Sequence, residues 1–486
     1  MHIPLCPAGG FRKMHECAST QDPGKIGPTT AMCLFWVQPK IIEMQQLTQL
    51  LLVLLLRCCP FASTSRVLLL LTDGFAGHYL NWYRHLDAFR TFRHNGVWCD
   101  HLISEFPSLS LPNHYSLVTG MHPINHGIVG NYMYDEIQDK YFRCGTEESD
   151  YDRVWWEQAE PVWITSTRKG INTGLYYWPG CQVKFDNHIK PVCLPHLYSH
   201  NSESLSAFNI KSLLGAFTSH TFILTYFNGI DLKGHSLGTS RFHRQPSRVN
   251  PVHQLNAILR EVLYVAEMTR DLNVIVASDH GMMNVPKTHE RFLDDYIDLS
   301  MIRRTIESGA LTQIIPMPGR AEEIYQLLNA TNPIPNVKIY WTSPERSKLP
   351  QRFHYIRSAR IAELVLIADA GYGIFIKSTN SYGSAKQFPP ATIYDWAPGM
   401  HGYDPKHPAM HGVFMAYGPD FHRAYYKRSV NLIDIHPLLC HVLNMTCPVS
   451  DGAFDRIKDV LINFAVKPVI SNALLVILIV KLLTTR

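Results

Sequence analysis

Five segments of this 486-residue chain carry side chains whose types and spacing could do metal-assisted chemistry. Asp73 follows the apolar run Val67-Leu68-Leu69-Leu70-Leu71, and Ser110 stands in Phe106-Pro107-Ser108-Leu109-Ser110-Leu111-Pro112-Asn113-His114. Asp231 and His235 are spaced by four, Asp279 and His280 are adjacent, and His401 lies in Gly399-Met400-His401-Gly402-Tyr403-Asp404. Three carboxylates and three imidazoles form a donor mixture that suits zinc, enough for two ions with an open face on each. Two cations about 4 Å apart can clamp the attacking and leaving oxygens of an in-line phosphoryl displacement. Ser110 is the expected nucleophile, and a cation on its oxygen would lower the hydroxyl pKa. Asn131, at the end of His126-Gly127-Ile128-Val129-Gly130-Asn131, can donate an amide proton to a phosphoryl oxygen. Each piece alone has an ordinary explanation: a strand-end Asp caps a turn, and a Ser before a helix caps the helix. Their joint occurrence carries the signal.

The elements that must position these groups are legible as a rhythm of short apolar runs followed by helix-like stretches, which is the pattern of buried parallel strands. Val67–Leu71 ends in Asp73, Thr221-Phe222-Ile223-Leu224-Thr225-Tyr226-Phe227 leads into Asp231, and Val274-Ile275-Val276-Ala277 ends in Asp279. Ligands bind outside the C-terminal ends of strands in open α/β sheets, so these acids should converge although they are far apart in the chain. Ser110 just ahead of Pro112 marks a helix start, with Gly120 closing it. The hydroxyl then lies near a helix N-terminus, whose partial positive charge favours anions. A helix with Leu255, Ile258, Leu259, Val262 and Leu263 on one stripe should cover the sheet. Prolines break the pattern over about 287–364, which reads as a smaller inserted α/β subdomain.

At 46% apolar and 17% charged residues the composition is globular, which excludes a disordered tail, a collagen or a coiled coil. A net charge of +5 without long basic runs gives no case for a nucleic-acid surface. The length allows several domains or one large α/β enzyme domain. Leu47 to Leu56 is too short to span a bilayer but suits a signal peptide, assigned to 44–64. Residues 1–43 then read as an unfolded upstream extension, with Met44 as the alternative start. Residues 463–486 form an apolar tail closed by Lys481 and Arg486, expected to tether the chain as a transmembrane anchor or a cleaved lipid-anchor signal. The catalytic domain, 65–462, is expected on the extracellular side of the plasma membrane. Cys99, Cys144, Cys181, Cys193, Cys440 and Cys447 remain in that part, an even number that suits an oxidising compartment. Cys181 with Cys193 and Cys440 with Cys447 are the closest pairs, although spacing does not derive connectivity. Asn329-Ala330-Thr331 and Asn444-Met445-Thr446 are glycosylation sequons.

The motifs Leu71-Thr72-Asp73-Gly74-Phe75, Phe106 to Asp135, Tyr177-Trp178-Pro179-Gly180, Asp231 to His235, Ser278 to Met282 and His401-Gly402-Tyr403-Asp404 together resemble the nucleotide pyrophosphatase/phosphodiesterase family of ectoenzymes, within the alkaline phosphatase superfamily. The resemblance covers nearly all of residues 65–455. It implies an alkaline-phosphatase-like, mostly parallel sheet flanked by helices. It also implies two zinc ions (Zn2+), one held by Asp73, Ser110, Asp279 and His280 and the other by Asp231, His235 and His401, with Asn131 in the oxyanion site. The implied reaction has two steps: Ser110 takes the phosphoryl group as an alcohol or phosphate leaves, and water then frees the second product.

Departures from the family pattern bear on the substrate. Serine replaces the usual threonine at 110, which keeps the hydroxyl. Leu111 replaces an aromatic that commonly stacks on a base, Cys181 and Gln182 follow the Trp178-Pro179-Gly180 motif where a serine and an aspartate are usual, and Asn228-Gly229-Ile230 precedes Asp231. Leu111, Trp178, Tyr198 and Tyr226 are expected to line the substrate pocket, and Tyr198 and Tyr226 are equally readable as core aromatics. The expected activity is hydrolysis of phosphodiester or pyrophosphate bonds of extracellular nucleotides by a monomer. Rival readings are a choline-phosphodiesterase or lysophospholipase C-type activity on lipid headgroups, and a non-catalytic surface protein of the same fold.

Overall fold

The run Val67–Leu71 is apolar at every position because both of its faces are buried. In the computed structural model, which describes residues 65–463 apart from 186–188, 196–214, 248, 378–385 and 389–397, it forms strand β1 (Arg66–Thr72). Val67, Leu69 and Leu71 join the core on one face of the sheet, and Leu68 and Leu70 the core on the other. Alternate side chains of a strand point to opposite faces, so one five-residue run anchors both layers. The expected signal peptide and upstream extension, Tyr198, and the tail beyond residue 463 lie outside the described residues. Among the described residues no helix is long and apolar enough to cross a membrane.

Around β1 the chain builds a nine-stranded sheet. Its other strands include β2 (Val97–Ile103), β3 (Thr173–Tyr176), β4 (Val192–Leu194), β5 (Phe222–Phe227), β6 (Leu272–Ser278), β7 (Gly412–Tyr417) and β8 (Tyr425–Tyr426). The spatial order is β8-β2-β7-β6-β1-β5-β3-β4, with Val430–Asn431 also paired to β2. β1 runs parallel to both β5 and β6, and β7 is antiparallel to β6 and β2. In register, Thr72 lies beside Phe227 and Ser278. Three neighbouring strands therefore end at one level, which is where Asp73, Asp231 and Asp279 emerge.

Helices cover the sheet. α1 (Asp87–Asn95) buries Ala88, Phe89 and Phe92, and α2 is Ser110–Thr119. α3 (Gly229–Leu237) directly follows β5. α4 (Pro251–Thr269) begins with Asn250, whose side chain accepts the N–H of Val252 at 2.9 Å, and buries Leu255, Leu259, Val262 and Leu263 as its stripe requires.

A second sheet of five strands uses Ile302–Ile306, Leu311–Pro316, Val337–Trp341, Leu364–Ala368 and Lys386–Phe388. It has its own apolar cluster, including Ile302, Ile314, Ile339, Leu364 and Leu366. Among the described residues two disulfides form, Cys181–Cys193 and Cys440–Cys447, the pairs closest in sequence there.

Candidate active site

Asp73 and Asp279 leave the ends of β1 and β6 side by side. The Asp279 carboxylate is fixed from the backbone, its Oδ1 accepting the N–H of Gly74 at 3.0 Å and that of His280 at 2.9 Å. Oδ2 is left facing inward. Asp231 enters from the first turn of α3, and residue 74 must be glycine for it to approach. Gly74 has φ 67°, and a Cβ there would lie 2.8 Å from the Asp231 Cα.

Three imidazoles complete the cluster, all oriented by the same device. Nδ1 of His280 lies 2.9 Å from the Gly281 carbonyl, Nδ1 of His235 is 2.8 Å from the Gly399 carbonyl, and Nδ1 of His401 is 2.9 Å from the Ser108 carbonyl. A carbonyl only accepts, so each Nδ1 carries the proton and each Nε2 offers a lone pair. Those Nε2 atoms face the carboxylates. His280 is 3.3 Å from Asp73 Oδ1 and from Asp279 Oδ2, His235 is 3.4 Å from Asp231 Oδ2, and His401 is 3.5 Å from Asp231 Oδ1. His401 stacks on His280 with ring centroids 3.6 Å apart. Hydrogen bonds from the far ring nitrogen to the backbone fix the tautomer and orientation of metal-binding histidines.

The electrostatics point to missing positive charge. Burial, reinforced by the Asp279 charge, pushes the Asp73 carboxyl up to about 6. Burial and the charges of Asp73 and Asp279 hold Asp231 well above the usual carboxylate range. Burial pushes His280 down to about 4, and lowers His401 and His235 as well. The imidazoles are thus kept neutral and do not compensate the acids. Asp73 Oδ1 and Asp231 Oδ1 are buried without a hydrogen-bond partner. Orphaned carboxylate oxygens beside Nε2 lone pairs fit divalent cations. The sets Asp231, His235, His401 and Asp73, Asp231, His280 each bring ligand atoms within 4.8 Å of one another. Asp73, His114 and Asp279 form a further such group.

Ser110 opens α2 at the rim of this cluster, half-buried, with Oγ 3.2 Å from His280 Nε2. The N-cap residue Leu109 makes no side-chain hydrogen bond, and the helix N-terminus keeps its partial positive end although the N–H of Leu111 is taken. Asn131 lies beside it, its Oδ1 accepting the N–H of Leu111 at 2.9 Å. Side chains from distant segments therefore meet around one hydroxyl.

The comparison with known proteins agrees with this geometry. A family model described as type I phosphodiesterase / nucleotide pyrophosphatase matches residues 67–404. The chain belongs to this family. Human ectonucleotide pyrophosphatase/phosphodiesterase family member 5 is 32% identical over 399 residues, covering 82% of this chain and 78% of the relative. A bis(5'-adenosyl)-triphosphatase of Mus musculus is 31% identical over 411 residues, covering 83% of this chain and 82% of the relative. The solved structure of murine ectonucleotide pyrophosphatase/phosphodiesterase 5 matches with a TM-score of 0.70 at 30% identity, over 82% of this chain and all of that one, and an inactive variant of it has been solved in complex with AMP. The fold is therefore alkaline-phosphatase-like, and the phosphodiesterase family assigns the chain to the hydrolases of phosphoric diesters.

Of the side chains expected to line the substrate pocket, the three that are described, Leu111, Trp178 and Tyr226, are buried. Trp178 has no exposed surface and packs edge-on against Trp163, and Leu111 is buried in the same core. Neither ring nor leucine offers a face to a base in this conformation. Tyr226 is also buried, and its hydroxyl donates to Asp73 Oδ2. Its role in this structure is that of a hydrogen-bond donor to the cluster.

His114 was not singled out from sequence. It lies one turn after Ser110 on α2, and its Nε2 is 2.8 Å from Asp279 Oδ2 and 3.6 Å from Asp73 Oδ2. The i, i+4 spacing from Ser110 was the available signal, since it places both side chains on one face of a helix.

Proposed function

We propose that the chain is a two-zinc ectoenzyme that hydrolyses phosphodiester or pyrophosphate bonds of nucleotides through a covalent intermediate on Ser110. The observation that carries this reading is the convergence of three Nε2 lone pairs and three buried carboxylates beside one hydroxyl. Asp73, Ser110, Asp279 and His280 would hold one ion, and Asp231, His235 and His401 the other. When bound, zinc supplies Lewis acidity that favours the Ser110 alkoxide and offsets charge on the phosphoryl group. The protein's own groups do the rest. Ser110 attacks phosphorus from a helix N-terminus that favours anions, and its Oγ–P bond forms as the bond to the leaving oxygen breaks. The free amide N–H groups of Asn131 donate to the phosphoryl oxygen that gains charge. Water then cleaves the seryl ester and returns the hydroxyl.

A nucleotide substrate is supported by the AMP complex of the murine relative and by the bis(5'-adenosyl)-triphosphatase activity in another relative's name. An extracellular catalytic domain of residues 65–462 is supported by the two disulfides among the described residues and by the exposure of Asn329 and Asn444 in their sequons. The decisive experiment measures hydrolysis of a nitrophenyl nucleotide ester by purified ectodomain. Ser110→Ala should abolish it, chelation should abolish it in the unaltered protein, and added zinc should restore the chelated enzyme. Undiminished turnover by Ser110→Ala would remove the mechanism. A phosphocholine ester tested in parallel distinguishes a lipid-headgroup enzyme from a nucleotide enzyme.

A further inference from the structure

Asn131 is held from several directions. Its side-chain oxygen is taken by the N–H of Leu111, which leaves the NH2 group as the part that can face a ligand. Its backbone carbonyl accepts the N–H of Cys144 at 3.2 Å. The remaining anchor comes from the second sheet, far along the chain. Glu307 follows the strand Ile302–Ile306, and its Oε1 accepts the N–H of Tyr132 at 2.7 Å, while the N–H of Asn131 also donates to this carboxyl.

Two features make this contact costly to build for packing alone. Glu307 is only 4% exposed and takes φ 64°, a backbone region that residues other than glycine occupy only under strain. Burial also pushes its carboxyl up to about 8, against the lowering effect of the two N–H donors. Residue 130 is fitted to the same contact. A Cβ on Gly130 would lie 2.9 Å from Glu307 Oε1 and 2.7 Å from the Tyr132 carbonyl oxygen, so a larger residue would push the carboxyl away. A strained, buried carboxyl that grips the backbone of one site residue is better explained by the placement of that residue than by the stability of the loop.

We infer that Glu307 is a positioning residue of the phosphoryl-transfer site, fixing the Asn131–Tyr132 backbone so that the Asn131 amide meets the phosphoryl oxygen beside Ser110. This rests on the role proposed above for Asn131. It also makes the second sheet a contributor to the reaction, with Ile306 and Arg304 of the same strand packing on the adjoining Tyr134.

The test is a mutant cycle on the zinc-loaded ectodomain, using Asn131→Ala, Glu307→Ala and the double variant, with kcat, KM and zinc content measured for each. Glu307→Ala should lower kcat by roughly 10- to 100-fold, the scale of misplacing a reacting group by about 1 Å, with KM and zinc content little changed. In the Asn131→Ala background the same change should cost nothing further, because the group it positions is gone. Glu307→Gln should restore most of the lost kcat, since its oxygen still accepts the Tyr132 N–H. Full additivity in the double variant, or a loss that tracks zinc content, would overturn the inference. Should Glu307→Ala fail to fold, Glu307→Asp tests the same point by drawing the carboxyl back from the Tyr132 N–H, and it too should lower kcat selectively. A normal kcat for Asn131→Ala would instead refute the role of Asn131 itself, so the two failures are distinguishable.

Discussion

Tyr226→Phe tests whether the cluster is held from behind as the geometry requires. The hydroxyl is buried and donates to Asp73 Oδ2. Once it is removed, the nearest remaining donor on that oxygen is His114 Nε2 at 3.6 Å, beyond hydrogen-bond reach. A hydrogen bond to a charged group contributes about 1.5–3 kcal/mol, and each 1.4 kcal/mol is tenfold in affinity. Zinc affinity at the proposed site containing Asp73 should therefore weaken by roughly 10- to 100-fold, in line with other changes behind metal ligands. Phenylalanine keeps the ring, so the edge contact with the His114 imidazole at 5.1 Å and the packing of β5 should persist. The assay is zinc competition against a chelating dye, paired with turnover in zinc-buffered solution. Saturating zinc should recover most of kcat. A Tyr226→Leu control separates this role from base stacking. A stacking platform would tolerate Phe, fail with Leu, and show its loss in the nucleotide KM. Unchanged zinc affinity in Tyr226→Phe would refute the reasoning.

Three further outcomes are expected. Gly74→Ala should lose bound zinc and activity together, because its Cβ would meet Asp231 at 2.8–2.9 Å and its φ of 67° disfavours any side chain; metal analysis after dialysis checks this. Arg360→Met should destabilise the fold by about 3–5 kcal/mol in urea unfolding, because it strands Asp135 in a buried pair and also removes donors to the carbonyls of Gly127, Val154 and Trp155. Glu307 gives a pH signature with a definite sign. Its folded pKa is raised from 4.5 to about 8, so its contribution to stability is fully present below 4.5 and is lost as pH rises toward 8. Melting temperature should therefore fall less over that window in Glu307→Gln than in the unaltered protein.

Much of the catalytic edge was legible because strand chemistry and site chemistry coincide there. A run such as Val67–Leu71, apolar at every position, can only be a strand buried on both faces, and an acid at its C-terminal end is then at the ligand edge. The same logic located Asp279, and the Asp231–His235 spacing placed both side chains on one face of α3. The substrate pocket was not legible. Whether an aromatic stacks on a ligand or fills a core depends on packing between segments distant in sequence, and Trp178 and Tyr226 both went inward. Glu307 and the carbonyls that orient the histidines were equally hidden. The Gly399, Gly281 and Ser108 carbonyls act through backbone atoms that every residue possesses, so residue type carries no trace of them.

Those carbonyls also explain how the cluster can exist before any ion arrives. With each Nδ1 proton held by a backbone carbonyl, the Nε2 atoms that face the acids carry lone pairs and no proton, and burial keeps the rings neutral. Burial is the main reason that Asp73 and Asp231 are both raised, and repulsion among the three carboxylates adds to it. His114, 2.8 Å from Asp279 Oδ2 and 3.6 Å from Asp73 Oδ2, relieves part of that repulsion, and divalent charge would relieve the rest. Zinc should therefore raise the melting temperature of the metal-free ectodomain, and replacing Asp231 by Asn should shrink that increase while raising the stability of the metal-free form. A metal-free Asp231→Asn protein no more stable than its parent would show that the acids are not strained against each other, and the electrostatic argument for the two-cation site would fail with it.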